Sequence, residues 1–200
     1  YGPLSDGTSQ RAPDGLSSLR ITVRPNERNQ LGLEVDSRAI ERELVFDPRP
    51  VALHSDVCAG GLGAHKWADR SWLGATQIRL PADALPLLTD LDGTVLEASR
   101  ANVFTVRDGA LFTPPLDGRI LPGITRARVL EIAATDGLET HEAELSHEDL
   151  LAANEVFLTG SIRGVEPVRA LDGVPVAQGG EITARLAAEL RRAWLGAPVG

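Results

Sequence analysis

In the first quarter of the chain, apolar and polar positions alternate with the period of two that is typical of β-strands. Residues 19–23 and residues 31–35 both show this alternation, and Pro25 ends the first run. Two alternating runs separated by a short polar segment predict a β-hairpin. Residues 50–54 predict one more short strand. Residues 1–17, rich in Ser, Gly, Pro and Asp and without a period, predict a linker.

Two Asp-Gly pairs mark tight turns in the middle of the chain. The pair at 92–93 predicts a hairpin over residues 87–97, and the pair at 108–109 predicts another over residues 102–113. Residues 82–88, at the start of the first hairpin, are compatible with a short helix or with part of a loop.

A helical period replaces the alternation farther along the chain. The clearest helix is predicted over residues 125–135, with Gly137 at the position that follows a helix C-terminus. Ser146 is expected to begin a short helix, and residues 181–195 carry apolar side chains at helical spacing. Strands are predicted between these helices over residues 138–142, 155–158 and 165–168. This mixture of strands and helices predicts an α/β or α+β domain with a mixed sheet.

The composition limits the classes of function. The hydrophobic fraction of 42% and the charged fraction of 24% are ordinary for a soluble globular protein. A net charge of -8 argues against nucleic acid and against a membrane surface as partners. The single cysteine, Cys58, cannot form an internal disulfide bond, which fits a cytoplasmic protein. No apolar run reaches the ~18 residues of a membrane span, and the spacing of the histidines predicts no metal site.

One lysine stands out among the cationic residues. Of the 20 lysine and arginine residues, only Lys66 is a lysine, and it follows a glycine-rich turn at residues 59–64. A lysine amine can lose its proton and bond covalently to a carbonyl carbon, which arginine cannot do. Lys66 therefore predicts amine chemistry, although by itself it could also be an ordinary surface cation.

Three further stretches could carry chemistry. Glu97 would share one strand face with a hydroxyl two residues later, although a solvent-facing carboxylate would give the same pattern. Ile124 and Thr125 follow a glycine at the start of the predicted central helix, where free N–H groups bind anions. Gly160 and Ser161 follow a predicted buried strand and form a second candidate anion cup. A plain N-cap and a tight turn are the alternatives for these two turns.

Several motifs together resemble the fold-type IV pyridoxal-phosphate enzymes. They are Glu-Ala-Ser-Arg-Ala-Asn-Val-Phe at 97–104, Thr-Pro-Pro at 113–115, Ile-Leu-Pro-Gly-Ile-Thr-Arg at 120–126, Glu-Val-Phe-Leu-Thr-Gly-Ser at 155–161 and Val-Glu-Pro-Val at 165–168. This family includes branched-chain aminotransferases, D-amino-acid aminotransferases and 4-amino-4-deoxychorismate lyases. The resemblance implies the large domain of the class IV aminotransferase-like α/β fold, a mixed sheet partly closed into a barrel with flanking helices.

The resemblance also implies roles for the candidate residues. Lys66 matches the lysine that holds pyridoxal 5'-phosphate covalently and moves protons at the substrate, and Glu97 matches the carboxylate that faces the pyridine nitrogen. Arg100 and Arg163 are expected to clamp a substrate carboxylate. Ile124 and Thr125 match one side of the phosphate-binding cup of the family, and Gly160 and Ser161 match the other side.

The segment His-Lys-Trp-Ala-Asp-Arg at 65–70 is nearer to the lyase branch of the family, in which an Asn-Arg pair follows the lysine; here Asp69 stands in place of Asn. It implies a lyase that converts 4-amino-4-deoxychorismate to 4-aminobenzoate and pyruvate. The alternatives are a class IV aminotransferase of branched-chain or D-amino acids, and an inactive, cofactor-free remnant that serves in assembly. The family implies a small-molecule substrate and a homodimer.

Family members carry a smaller N-terminal domain before the part that matches this chain. These 200 residues are expected to lack that domain, in agreement with the absence of methionine and with Tyr1 as the first residue. Residues 1–17 are therefore expected to be a linker or the remnant of that domain, and residues 18–200 the C-terminal cofactor-binding domain. The chain is expected to be part of a longer, fused polypeptide.

Overall fold

The computed structural model describes residues 16–25, 29–46, 49–177 and 180–195. By contacts within the chain, two units are distinguished, Tyr1–Val45 and Phe46–Gly200. Most of the predicted linker at 1–17 lies outside the described residues. None of the helices within these ranges is long and apolar enough to cross a membrane.

The first unit contains the predicted hairpin. Strands β1 (Ser17–Pro25) and β2 (Leu31–Ala39) pair in antiparallel fashion, and a 3-10 turn follows at Arg42–Leu44. Ile21 lies opposite Val35 in this pairing, so the apolar positions of both strands share one face. That face is exposed along its length, at Leu19, Ile21, Val23, Leu31, Leu33 and Val35.

The second unit is built around a mixed sheet of nine strands. They are β3 (Val51–Val57), β4 (Ala84–Thr89), β5 (Val95–Ala98), β6 (Ala101–Arg107), β7 (Ala110–Thr113), β8 (Thr140–Glu142), β9 (Glu155–Gly160), β10 (Gly164–Leu171) and β11 (Val174–Pro175). Because β9 pairs with both β6 and β10, the order β10-β3-β4-β5-β6-β9 returns to β10 and closes a six-stranded barrel. This confirms the predicted α/β fold with a mixed sheet closed into a barrel.

Apolar side chains from every barrel strand form one buried cluster. Burial of each such side chain stabilises the fold by roughly 1.5–3 kcal/mol. The cluster includes Leu53 from β3, Leu87 from β4, Val95 from β5, Val103 from β6, Leu158 from β9 and Val168 from β10.

The described helices are α1 (Ser71–Arg79), α2 (Ile124–Thr135), α3 (His147–Ala152) and α4 (Glu181–Leu195). A second apolar cluster joins α2 and α4 to one face of β6 and β9, where the rings of Phe104 and Phe157 stack with centroids 5.1 Å apart. As predicted, α2 is followed by Gly137, whose φ is 69°, and Ser146 caps α3. The sequence predictions for α2, α3 and α4 are thus confirmed.

Strand β4 and helix α1 differ from the sequence predictions. Residues 82–88, which are compatible with a short helix or loop, mostly belong to strand β4, all of whose residues are buried. A strand that is buried on both faces loses the alternation that identifies strands. Helix α1 has no prediction at all, because only Leu73 and Thr76 are buried along it and the apolar period is weak.

Removal of the Glu155 carboxylate should destabilise the second unit. Both of its oxygens accept backbone N–H bonds from the first turn of α4, from Ile182 at 3.2 Å and from Thr183 at 2.7 Å. Because Glu155 belongs to β9, this contact ties the last helix to the barrel. We expect Glu155→Ala to lower the free energy of unfolding by about 2–3 kcal/mol, measured by urea denaturation. The exposed Glu148 on α3 is the matched control, and an equal loss in Glu148→Ala would contradict this role.

Candidate active site

A cavity of about 320 Å³ lies beside the start of α2 and the turns that end β5 and β9. Its lining brings together seven of the eight residues that the sequence singles out: Lys66, Glu97, Arg100, Ile124, Thr125, Gly160 and Ser161. Arg163 is not among the lining residues. Segments that are about 100 residues apart in sequence therefore meet in one cavity.

Three polar side chains form a row across neighbouring strands at this cavity. Glu97 of β5 lies opposite Asn102 of β6, and Asn102 lies opposite Thr159 of β9. Directly opposed residues point to the same face of a sheet, and all three are buried and line the cavity. Asn102 had no role assigned to it from the sequence. The short turn between β5 and β6 could have identified Asn102, since such a turn places residue 102 opposite residue 97.

The carboxylate of Glu97 is buried, with 4% of the residue exposed. Its Oε2 accepts the N–H of Leu121 at 3.3 Å and lies 3.5 Å from Nδ2 of Asn102. Burial raises the pKa of Glu97 to about 7, while the Leu121 N–H and the positive charges of Arg70 and Lys66 oppose the shift. A carboxyl group with such a pKa can hold or release a proton near neutral pH.

The raised pKa of Glu97 predicts a pH-dependent gain in stability for Glu97→Gln. The ordinary pKa is 4.5, so a charged, buried Glu97 costs stability progressively from pH 4.5 to about 7 and fully above it. The variant should therefore unfold with a free energy higher by on the order of 3 kcal/mol above pH 7, and the gain should vanish below pH 4.5. Urea denaturation of the cofactor-free protein across this range measures it. The surface variant Glu148→Gln should differ from the parent by about 0.5 kcal/mol or less at every pH, and a similar gain there would contradict the assignment to Glu97.

The start of α2 faces the cavity without a side-chain cap among the described residues. The first N–H groups of a helix have no partner within the helix and carry the positive end of its dipole. Gly123 precedes the helix, and a Cβ atom there would come within 2.1 Å of Oδ1 of Asn102. A side chain at this position would therefore displace Asn102, which donates to the carbonyl of Leu121 at 2.9 Å.

A buried hydroxyl faces the same cavity from β9. Oγ1 of Thr159 is buried and has no hydrogen-bond partner within the described part of the chain. A buried polar atom without a partner costs free energy, so such atoms commonly mark a place where a bound group supplies the hydrogen bond. Together with the turn at Gly160 and Ser161, Thr159 gives the cavity a second polar segment besides the start of α2.

The guanidinium of Arg100 contacts a buried acid. Its Nη2 lies 2.9 Å from both oxygens of Glu166, and the side chain of Arg100 is 36% exposed against 5% for Glu166. This ion pair fixes Arg100 at the cavity wall. The predicted clamp for a substrate carboxylate pairs Arg100 with Arg163, but only Arg100 lines the cavity.

The segment with Lys66 contributes residues 65–67, 69 and 70 to the lining of the cavity. Lys66 itself is exposed. The indole of Trp67 donates to the carbonyl of Leu62 at 2.9 Å, and Arg70 donates to the carbonyl of Ser99 at 2.8 Å. Arg70 thus links this segment to the turn that follows Glu97, a role that the sequence analysis did not anticipate.

The lining joins one amine, one buried acid, the start of a helix and a polar turn. The family model for class IV aminotransferases matches residues 72–171, which is half of the chain.

The chain belongs to the class IV aminotransferase family.

Relatives of known assignment in this family resemble parts of the chain. The branched-chain-amino-acid aminotransferase of Escherichia coli (strain K12) is 42% identical over 99 residues, which cover 48% of this chain and 32% of that protein. The D-alanine aminotransferase of Listeria monocytogenes (strain 10403S) is 38% identical over 106 residues, 52% of this chain and 37% of that protein. The chain therefore spans about a third of the length of these curated relatives.

Two solved structures of the family resemble the fold more widely. The branched-chain aminotransferase of the thermophilic archaeon Thermoproteus uzoniensis, solved with norvaline, has a TM-score of 0.72 and 26% identity, covering 90% of this chain and 65% of that one. A Legionella pneumophila protein assigned as 4-amino-4-deoxychorismate lyase has a TM-score of 0.73 and 25% identity, covering 96% of this chain and 66% of that one.

Class IV aminotransferases use pyridoxal phosphate, and the cavity residues fit this group. The uncapped start of α2 and the unpaired Oγ1 of Thr159 are donors suited to phosphate oxygens. The buried Glu97 is an acceptor suited to a protonated ring nitrogen, and Lys66 supplies the amine. No group of three or more metal-binding side chains occurs among the residues that the structure describes.

Proposed function

We propose that this cavity binds pyridoxal 5'-phosphate, with Lys66 as the point of covalent attachment. The observation that carries the proposal is the convergence of the single lysine, the buried Glu97 and the uncapped start of α2 on one cavity. Ile124 and Thr125 would hold the phosphate from one side, and Gly160 and Ser161 from the other. Arg100, which lines the cavity and pairs with the buried Glu166, would orient the substrate.

The residues of the chain divide the chemical work between them. When bound, pyridoxal phosphate draws electrons away from the carbon that carries the substrate amino group. Lys66 would take the proton from that carbon, since it lines the cavity and its amine can act as a base. Glu97 would hold a proton at the ring nitrogen, where a carboxylate in a buried site interacts strongly with a positive charge. The donors at the start of α2 would fix the phosphate and so the position of the ring.

For the reaction we propose the lyase, which converts 4-amino-4-deoxychorismate to 4-aminobenzoate and pyruvate. Loss of the proton to Lys66 and departure of the enolpyruvyl group as pyruvate leave an aromatic ring, which drives the reaction. The likeness to the Legionella pneumophila protein, which extends over 96% of this chain, supports this choice. The indoles of Trp67 and Trp72 at the cavity also suit a flat ring.

A class IV aminotransferase of branched-chain or D-amino acids is the second candidate. The 42% identity to the Escherichia coli branched-chain enzyme favours it over the matched half of the chain. Both reactions begin with proton removal by Lys66, so the same cavity serves either. We further propose that this chain is part of a longer polypeptide, and that the whole protein is cytoplasmic and forms a homodimer.

Borohydride reduction tests the attachment, and product analysis tests the reaction. Reduction in the presence of pyridoxal phosphate should fix the label on the peptide that contains Lys66. Label on any other peptide, or none at all, would contradict the attachment and would favour the cofactor-free remnant. With 4-amino-4-deoxychorismate and no keto acid, formation of 4-aminobenzoate identifies the lyase. Turnover that requires a keto-acid acceptor identifies the aminotransferase.

A further inference from the structure

The glycine turn before Lys66 is packed tightly against another loop. Gly61 has a φ of 72°, and a Cβ atom there would lie 2.0 Å from the carbonyl oxygen of Arg119. The N–H of Gly63 donates to the same carbonyl at 3.1 Å. The backbone of Arg119 therefore forms the surface against which this turn is placed, and the turn leads directly into the lysine segment.

The side chain of Arg119 reinforces this contact through Asp90. Oδ1 of Asp90 accepts the N–H of Gly60 at 3.0 Å, and Oδ2 of Asp90 lies 3.2 Å from Nη1 of Arg119. Arg119 also donates to Asp117 at 2.7 Å and to Glu144 at 2.9 Å. The side chains of Arg119 and Asp90 are 22% and 18% exposed, so this pair is less open to water than the exposed pair of Arg119 with Glu144.

Arg119 also begins the segment that leads to the other side of the cavity. Ile120 is buried against Leu88 and Leu96. The next residue, Leu121, donates its N–H to Glu97 and accepts from Asn102. Gly123 lies two residues after Leu121, and α2 begins directly after it at Ile124. One arginine thus contacts the turn before Lys66 and opens the segment that carries the partner of Glu97 and the start of α2.

We propose that Arg119 and Asp90 are positioning residues, whose ion pair outside the cavity sets the place of Lys66 relative to Glu97 and the start of α2. Neither residue lines the cavity. The geometric part of this inference concerns the chain alone, whereas its effect on the reaction rests on the proposed function. Nothing about these two side chains makes them reactants; they act by fixing the lysine segment.

The first test uses the cofactor-free chain. In Arg119→Ala, amide hydrogen exchange at Gly60 should accelerate by about tenfold, because its acceptor Asp90 is no longer held. An amine-acylating reagent followed by peptide mapping reports on Lys66, because no other lysine is present and mapping separates Lys66 from the N-terminal amine. The rate of acylation of Lys66 should change in this variant. Arg119→Lys keeps the charge and should restore part of the protection. Arg128→Ala removes an exposed pair with Glu131 on α2 and should change neither rate.

The second test uses the cofactor-loaded chain. Arg119→Ala and Asp90→Asn should lower kcat by about 10²-fold with little change in KM, since a small misplacement of a reacting group costs this much. The pH at which the bound cofactor changes its absorbance should shift in both variants and return towards the parent value in Arg119→Lys. A purely structural role would lower the yield of folded protein and leave that pH unchanged.

The two hypotheses fail separately. If the parent chain is not labelled at Lys66 by borohydride, the proposed cofactor attachment fails, and the exchange and acylation rates alone then decide the positioning role. Unchanged exchange at Gly60 and unchanged acylation of Lys66 in Arg119→Ala would overturn the positioning role, even if the parent chain is labelled. Accelerated exchange with an altered acylation rate would support it.

Discussion

Lys66→Arg should abolish borohydride-dependent attachment of pyridoxal phosphate and lower turnover by at least about 10³-fold. Arginine keeps the positive charge at this position, but it cannot lose its proton or bond to the aldehyde. Loss of the group that moves the proton typically costs about 10²- to 10⁴-fold, and loss of the attachment adds to it. Peptide mapping after reduction, together with 4-aminobenzoate or keto-acid production, measures both effects.

The chain offers an unusually direct control for this prediction. Because Lys66 is the only lysine, the double variant Lys66→Arg, Arg128→Lys moves the single lysine to the exposed face of α2, where Arg128 pairs with Glu131. The total charge is unchanged. We expect no specific label at residue 128 and no turnover. Efficient labelling there, or full turnover in Lys66→Arg, would show that the cavity does not select the amine.

Glu97→Gln should reduce turnover by about 10²- to 10³-fold while leaving the attachment at Lys66 in place. The glutamine side chain has nearly the same shape and can still accept the N–H of Leu121, which lies 3.3 Å from Oε2 in the parent. It carries no negative charge to hold a proton at the ring nitrogen, and removal of one preorganised electrostatic partner typically costs this much. Steady-state kinetics measures the loss.

The predicted gain in stability of Glu97→Gln above pH 7 separates this effect from unfolding. A variant that is more stable than the parent and yet turns over more slowly has lost chemistry rather than structure. Glu148→Gln is the control on the surface and should match the parent in turnover. Parent-like turnover in Glu97→Gln, with borohydride labelling intact, would remove Glu97 from the mechanism.

Most of the secondary structure could be predicted from the pattern of residues. The Asp-Gly pairs at 92–93 and 108–109 lie between β4 and β5 and between β6 and β7, as predicted. Both pairs place glycine at positive φ, 86° at Gly93 and 81° at Gly109. Such turns depend on local backbone geometry, which residue type sets directly. The beginning of strand β4 and helix α1 could not be predicted, because their burial is set by neighbours that are distant in sequence.

Most residues of the candidate site could be predicted from the sequence, but their arrangement in space could not. Lys66 was marked by its uniqueness and by the glycines before it, and Glu97 by the motif that it begins. Asn102 and Arg70 lie within the motifs at 97–104 and 65–70, but neither of them was assigned a role at the site from the sequence. Asn102 became part of the site through the pairing of β5 with β6 and of β6 with β9, and Arg70 through its bond to the carbonyl of Ser99.

The sequence by itself determined which chemical groups this protein can bring to a reaction: one amine, an acid in a strand, and two turns with free backbone donors. It also determined the hairpins and the helix that present them, since these depend on neighbours within a few residues. Only the tertiary structure decided that the groups face one cavity. Closure of the barrel through β9 requires contacts between residues about 50 positions apart, and burial then raised the pKa of Glu97 to about 7. Long-range pairing and the loss of water are collective properties of the fold, so no single stretch of the chain encodes them.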